Sequence, residues 1–203
     1  MTSIRPLALT SLAALAVALL PSTVWAQSPN LAGATYLSAS VGTGKVGLNC
    51  PANTPCSRVD ASSVLRAGHR LGNGWAFEVT YSRIAADWGV LGANYSAEFT
   101  GFGLGTAYAI PLTDSFSAWA RLGGSSNELR LQPAVGLAGR NPGTITTTSF
   151  NPYAGLGLVW QISPHWSASA NLDVTRADLR ESPNAARQGV TVRSVGLGIG
   201  FNF

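Results

Sequence analysis

The chain has 203 residues, room for one domain, and is 46% hydrophobic yet only 11% charged, less than half the ~25% usual in soluble domains. After Ala26 no run of about 18 apolar residues occurs, which excludes a membrane-spanning helix there. The formal charge of +4 is carried by scattered residues, nearly all Arg, which excludes the clustered basic face of a nucleic-acid binder.

The amino terminus comes first. Arg5 supplies a positive start, Leu7 to Leu20 an apolar stretch ended by Pro21, and Val24-Trp25-Ala26 a small-x-small cleavage site. This predicts a secretory signal over residues 1–26 and a mature chain from Gln27. No Cys follows the cleavage point, so lipid attachment is not expected. Removing Arg5 from the 13 basic residues leaves 12 against nine acidic ones, a net +3. Export would put Cys50 and Cys56 in an oxidising compartment, where a bonded pair closing a small ring is expected. Without His or further Cys, their spacing is too poor for zinc.

From Gln27 onward, segments of about ten alternating residues recur between clusters of Gly, Pro, Asn, Asp and Ser, the signature of transmembrane strands. A first strand is predicted over 35–43, with Leu37, Ala39 and Val41 outward, followed by the loop that holds both cysteines. The second, over 63–71, puts Leu65, Ala67, His69 and Leu71 outward and Val64, Arg66, Gly68 and Arg70 inward. Gly72-Asn73-Gly74 is a tight turn whose residues tolerate positive φ. The third strand, over 75–83, shows Trp75, Phe77, Val79 and Tyr81 outward and Glu78 inward. A loop around 85–96 precedes the fourth, over 99–110, with Phe102, Leu104, Tyr108 and Ile110 outward over an inward row of glycines.

After a turn at Pro111 to Ser115, the fifth strand is predicted over 116–125, with Trp119 and Arg121 inward. The longest loop runs from there to about Ser149. The sixth strand covers 150–162, Ser163-Pro164-His165 turns the chain, and the seventh covers 166–175 with Asp173 inward. An Arg-containing loop reaches about Thr191. In the last nine residues, Val195, Leu197, Ile199, Phe201 and Phe203 share one face, and Gly196, Gly198, Gly200 and Asn202 the other. Five apolar residues against three glycines fit an apolar outer wall around a crowded interior.

Eight antiparallel strands result, joined by three short turns and four longer loops. This predicts an all-β, up-and-down transmembrane barrel with short turns at the periplasm and long loops outside. Trp75, Tyr108, Trp160 and Trp166 would form one aromatic girdle, and Tyr81, Phe102 and Phe150 a thinner one opposite. A soluble lipocalin-like barrel would reverse the pattern, with an apolar interior and a polar wall.

Three stretches carry a resemblance: Gly68-His69-Arg70-Leu71-Gly72-Asn73-Gly74-Trp75-Ala76-Phe77-Glu78-Val79-Thr80-Tyr81, Ile110 through Gly124, and Asn151-Pro152 through Ser163-Pro164. They resemble the second hairpin, the next turn with strand five, and strand six of the outer membrane protein A-like transmembrane domain. The resemblance spans essentially the whole mature chain. It implies interior charged roles for Glu78 and Arg121, whereas Ala107, Val159 and Ser169 stand where the family places ionic residues. Phe203, with Phe201, resembles the terminal aromatic signal that barrel assembly machinery reads in bacterial outer-membrane barrels. No peptidoglycan-binding domain is expected after Phe203.

The lumen is expected to hold a polar plug centred on Glu78 and surrounded by Arg66, Arg70 and Arg121, with Asp173 as a second carboxylate toward the exterior. Arg176, Arg180, Arg187 and Arg193 cluster in or beside the last exterior loop, with Asp178 and Glu181 among them. They are either a solvated, internally paired loop or contacts for lipopolysaccharide phosphates. His165-Trp166-Ser167 superficially resembles the His-x-Ser of lipid A deacylases, but alternation sends Ser167 inward and no carboxylate orients the imidazole. The reading is therefore a non-enzymatic outer-membrane barrel with a structural or surface-interaction role. A narrow conduit for small or apolar solutes is the alternative, and lipid A modification is less favoured. No cofactor, metal or nucleic acid is expected. The expected partners are outer-membrane lipid, lipopolysaccharide and the assembly machinery, and the expected state is a monomer.

Overall fold

The tight turn between the second and third strands shows how local chemistry fixes the architecture. Gly74 adopts φ 87°, a conformation open to glycine at no steric cost. Asn73 Oδ1 accepts from the Trp75 amide at 3.3 Å. The other two short turns use hydroxyls in the same way. Thr113 Oγ1 accepts from the amides of Ser115 and Phe116 at 3.3 and 3.1 Å. Ser163 Oγ accepts from the Trp166 amide at 3.1 Å.

The computed structural model describes residues 33–47, 60–90, 93–132, 144–179 and 186–203. They form β1 (Thr35–Val46), β2 (Asp60–Arg70), β3 (Trp75–Val90), β4 (Ala93–Pro111), β5 (Phe116–Gln132), β6 (Ile145–Gln161), β7 (Trp166–Leu179) and β8 (Gln188–Asn202). Each strand pairs antiparallel with its neighbours, and β8 pairs back onto β1 to close an eight-stranded barrel. The signal segment 1–26, Cys50, Cys56, Arg180 and Glu181 lie outside the described residues.

The outer wall carries a continuous apolar band. Leu37, Val41, Phe77, Leu104, Leu122, Leu156, Leu197 and Ile199 are all more than half exposed there. At the short-turn edge the aromatic girdle is built from contacting pairs. Trp75 lies against Tyr108 with centroids 5.0 Å apart, Phe116 stacks on Trp160 at 6.0 Å, and Trp166 meets Phe201 edge-on at 5.0 Å.

Six strands run past the apolar band, and there the pattern inverts. On β8, Val195, Leu197 and Ile199 face out, but Val190 and Val192 are buried inside. The same switch separates Leu172 from Ala177 and Leu179 on β7, and Leu122 from Leu129 on β5. It also separates Phe102 from Phe99 on β4, Tyr81 from Ile84 on β3, and Val41 from Val46 on β1. The inward residues pack together as one apolar cluster across the long-loop end of the lumen. Outward positions at that height carry Lys45, Arg83, Glu98, Glu128, Arg130, Arg176 and Arg193. A wall surrounded by hydrocarbon is apolar outside; a wall surrounded by water needs an apolar interior. The inversion marks where the barrel changes solvent.

This explains why the strands are longer than alternation predicts. The expected loop at 85–96 is mostly strand, since β3 reaches Val90 and β4 starts at Ala93. The expected long loop after Ser125 gives way to strand as far as Gln132, and β6 begins at Ile145. The last loop shortens likewise, because β7 reaches Leu179 and β8 starts at Gln188.

Candidate functional site: the barrel lumen

Glycines on the inner wall make room for large side chains. A Cβ at Gly68 would lie 2.5 Å from the Tyr36 hydroxyl, and one at Gly155 would lie 2.5 Å from Asp173 Oδ1. At Gly157 the clash would be with Arg121 Nη1 at 2.6 Å, and at Gly105 with the Tyr153 hydroxyl at 2.5 Å. The period-two glycines are thus sockets for large side chains that reach over them from other strands.

The lumen is layered. Nearest the short turns, the Arg70 guanidinium lies 5.1 Å from the ring centroids of both Tyr36 and Trp119, within cation–π range. The two rings meet edge-on at 5.8 Å. Above them Arg121 Nε donates to both Glu78 oxygens, at 3.1 Å to Oε2 and 3.3 Å to Oε1. Glu78 and Arg121 are 2% and 5% exposed, so the pair is held out of water. The Tyr36 hydroxyl donates to Glu78 Oε1, and Arg121 Nη1 donates to Asn171 Oδ1 at 3.2 Å. One step higher, Arg66 pairs with Asp173 across the barrel.

A cavity of about 50 Å³ follows, bounded by Arg66, Thr80, Ser125, Asn127 and Tyr153 below and by Ile84, Phe99 and Val192 above. The apolar cluster of Val46, Ile84, Phe99, Leu129, Ala177, Leu179, Val190 and Val192 lies above it.

The expected plug therefore divides. Arg121 joins Glu78, but Arg66 and Arg70 do not surround it. Arg66 stands opposite Thr80, one inward step above Glu78, and reaches across to Asp173. Arg70 stands opposite Ala76, one step below, and lies against the two rings. Glu78 is opposite Gly68, as the turn implies, and that gap admits the Tyr36 hydroxyl. Across the next turn, a register centred on Thr113 is expected to put Arg121 opposite Gly105 and Trp119 opposite Ala107, and the observed register differs from it by two. Arg121 faces Ala107 and Trp119 faces Ala109, while Gly105 faces Gly123. The turn is centred on Asp114 rather than Thr113, because the Leu112 and Thr113 amides both donate to the Phe116 carbonyl.

Sequence reasoning missed Tyr36 and Asn171 as partners of the ion pair. Both point inward by alternation, and the signal for Tyr36 was a bulky residue next to the inward Gly68 socket.

Of the loop arginines, Arg176 lies on β7 and Arg193 on β8, both facing outward, while Arg187 approaches Asp178 at 3.7 Å. Arg193 is the register partner of Lys45 across the β1–β8 seam. His165 stacks on Phe201 at 5.8 Å, and Ser167 is buried on the inner wall, so the two do not meet. Among the described residues no three His, Cys, Asp or Glu side chains converge on a metal position. Phe203 is 73% exposed on the outer wall, and its amide donates to the Thr35 carbonyl at 2.9 Å.

The profile of the outer membrane protein beta-barrel domain family matches residues 9–203. No curated protein matches the chain. Among solved structures, Neisserial surface protein A is similar over 84% of this chain and 99% of its own, at 16% identity and a TM-score of 0.62. Ail, the attachment invasion locus protein of Yersinia pestis, solved with the heparin analogue sucrose octasulfate, is 13% identical over 85% of this chain and 99% of its own, at a TM-score of 0.56. OprG from Pseudomonas aeruginosa is 14% identical over 85% of this chain and 96% of its own, also at 0.56. These likenesses are of fold. With an apolar band, an aromatic girdle, a lumen filled by polar side chains and a family match over nearly its whole length, the chain belongs to the outer membrane protein beta-barrel domain family and resides in the bacterial outer membrane.

Proposed function

We propose that this barrel is a non-enzymatic surface protein that acts through its outer wall and exterior rim, not through a pore. The observation that carries the reading is the apolar cluster across the exterior end of the lumen. Its Phe99 and Leu129 are each only 1% exposed. Packed apolar constrictions resist wetting and therefore resist ion passage. The strands that continue above the apolar band form a platform with its own apolar core, suited to presenting loops above the lipid.

The outer wall supports lipopolysaccharide as a partner. Lys45, Arg176 and Arg193 are exposed and face outward just above the apolar band. Lys45 and Arg193 are register partners, and Arg176 sits opposite Thr191, two residues from Arg193. Three exposed cations above the apolar band suit lipopolysaccharide phosphates and support that partner. At the periplasmic end, exposed Phe203 and half-buried Phe201 suit the assembly machinery as a terminal signal.

The test is single-channel recording in planar bilayers. Wild type is expected to give no resolved openings; regular openings would favour the narrow conduit and overturn this reading. Mass analysis of lipid A after incubation with the purified barrel tests the enzyme reading, with an unchanged spectrum expected.

A further inference from the structure

In the membrane-embedded lumen, Glu78 is paired with Arg121 and Asp173 with Arg66. Arg70 is left over. No carboxylate among the described residues lies within ion-pair distance of it, and its Nε is buried without a hydrogen-bond partner. The Tyr36 and Trp119 ring faces beside it supply part of the compensation. They accept no hydrogen bond from Nε. Glu78 attracts this half-buried guanidinium from beyond ion-pair distance, yet its buried N–H still lacks an acceptor, which is costly.

Arg70 borders a cavity of about 30 Å³ on the periplasmic side of the Glu78–Arg121 pair, larger than the ~10–15 Å³ that one water requires. No carboxylate lines it. Its polar lining includes Arg70, Arg121, Ser38, Ser167, Ser169 and Asn202, while the Tyr36 hydroxyl and Trp119 Nε1 that also border it already donate to Glu78 and Ser117. Ser38 and Ser167 flank Gly200 in one row of the inner wall, since each is its register partner on either side. A Cβ at Gly200 would fall 2.6 Å from Ser167 Oγ, so this glycine keeps the pocket open. Ser169 Oγ already accepts from Asn171 Nδ2 at 2.9 Å, which leaves its O–H free to donate.

Two guanidinium groups and three hydroxyl donors around a space of this size select a small anion over a cation. We propose that this pocket binds one small inorganic anion, chloride in periplasmic conditions, and that the anion balances Arg70. The volume argues against phosphate or any organic anion. The position below the ion pair means exchange with the periplasm and not with the exterior. This site is independent of the exterior surface role.

The experiment uses the full mature chain refolded in detergent. Crystals soaked in bromide should show an anomalous peak between Arg70 and the Ser38–Ser167 row. In solution, replacing gluconate by chloride at constant ionic strength should raise the urea midpoint of wild type. The effect should vanish in Arg70→Gln. Ser167→Ala removes one donor while keeping the guanidinium, and should weaken the apparent chloride affinity by about fivefold. It serves if Arg70→Gln does not fold. The absence of a bromide peak, or a chloride response equal in wild type and Ser167→Ala, would overturn the proposal.

Discussion

Arg121 Nε lies 3.1 and 3.3 Å from the two oxygens of Glu78, and both side chains are buried midway along the lumen. A buried pair of this kind contributes little net energy against an apolar replacement, yet breaking it is expensive, because the survivor keeps its charge without a partner. Glu78→Ala should therefore lower stability by about 3–5 kcal/mol, read as a lower urea midpoint. Conductance should stay at baseline if the apolar cluster around Phe99 and Leu129 is the barrier, as the proposed function requires. An unchanged midpoint would sink the pair as a structural element. A conducting Glu78→Ala barrel would show instead that this layer, and not the cap, is the barrier.

One inward and one outward glycine give a paired test. At Gly68 an added methyl meets the Tyr36 ring and hydroxyl at 2.5 Å, whereas at Gly189 nothing lies within 4 Å. Gly68→Ala should destabilise by about 1–3 kcal/mol, since it displaces the donor to Glu78. Gly189→Ala should stay within about 0.5 kcal/mol of wild type. Equal midpoints for the two variants would mean that Tyr36 moves aside freely.

The change of solvent along β8 predicts a position-dependent penalty for charge. Leu197 and Thr191 point to the same outer face of this strand, one within the apolar band and one above it. Leu197→Arg should cost about 2–4 kcal/mol, the range for a cation near the bilayer midplane, and Thr191→Arg about 0–1 kcal/mol. Refolding equilibria in lipid vesicles measure both. Similar costs would place Thr191 inside the hydrocarbon and move the boundary.

That boundary also separates what the sequence made legible from what it did not. Leu37 to Val41, Trp75 to Tyr81 and Val195 to Phe203 alternate with one phase, so strand existence, order and inward set could be read directly. Beyond Tyr81, Leu122, Leu172 and Val195 the apolar residues switch to the inner face, as Ile84, Leu129, Leu179 and Val192 show. A search for outward apolar residues takes such stretches for loops, because the period persists while its phase flips. The lumen was half legible. Inward Glu78 and Arg121 followed from alternation, but their partners depend on how far each side chain reaches across the barrel. That reach is set by Gly68, Gly155 and Gly157 on other strands, and by a turn register that local sequence left two residues off.

The final prediction concerns the chain end. Phe203 contributes one seam hydrogen bond, from its amide to the Thr35 carbonyl at 2.9 Å, and an edge-on contact with Phe201 at 5.1 Å. Its ring is 73% exposed on the outer wall, so little packing within the barrel depends on it. The β1–β8 seam is already closed by a continuous register from Tyr36–Asn202 to Val46–Val192. Deleting Phe203 should then cost the refolded barrel only about 0.5–1.5 kcal/mol, the net worth of one hydrogen bond. Insertion in cells should suffer far more, if the exposed terminal aromatic is what the assembly machinery engages. The two readouts are the urea midpoint after unassisted refolding into detergent and the amount of heat-modifiable barrel in outer-membrane fractions. A mild, equal defect in both would reduce Phe203 to a seam residue. A large loss in refolding as well would mean that the last strand depends on its final aromatic for stability, contrary to its exposure.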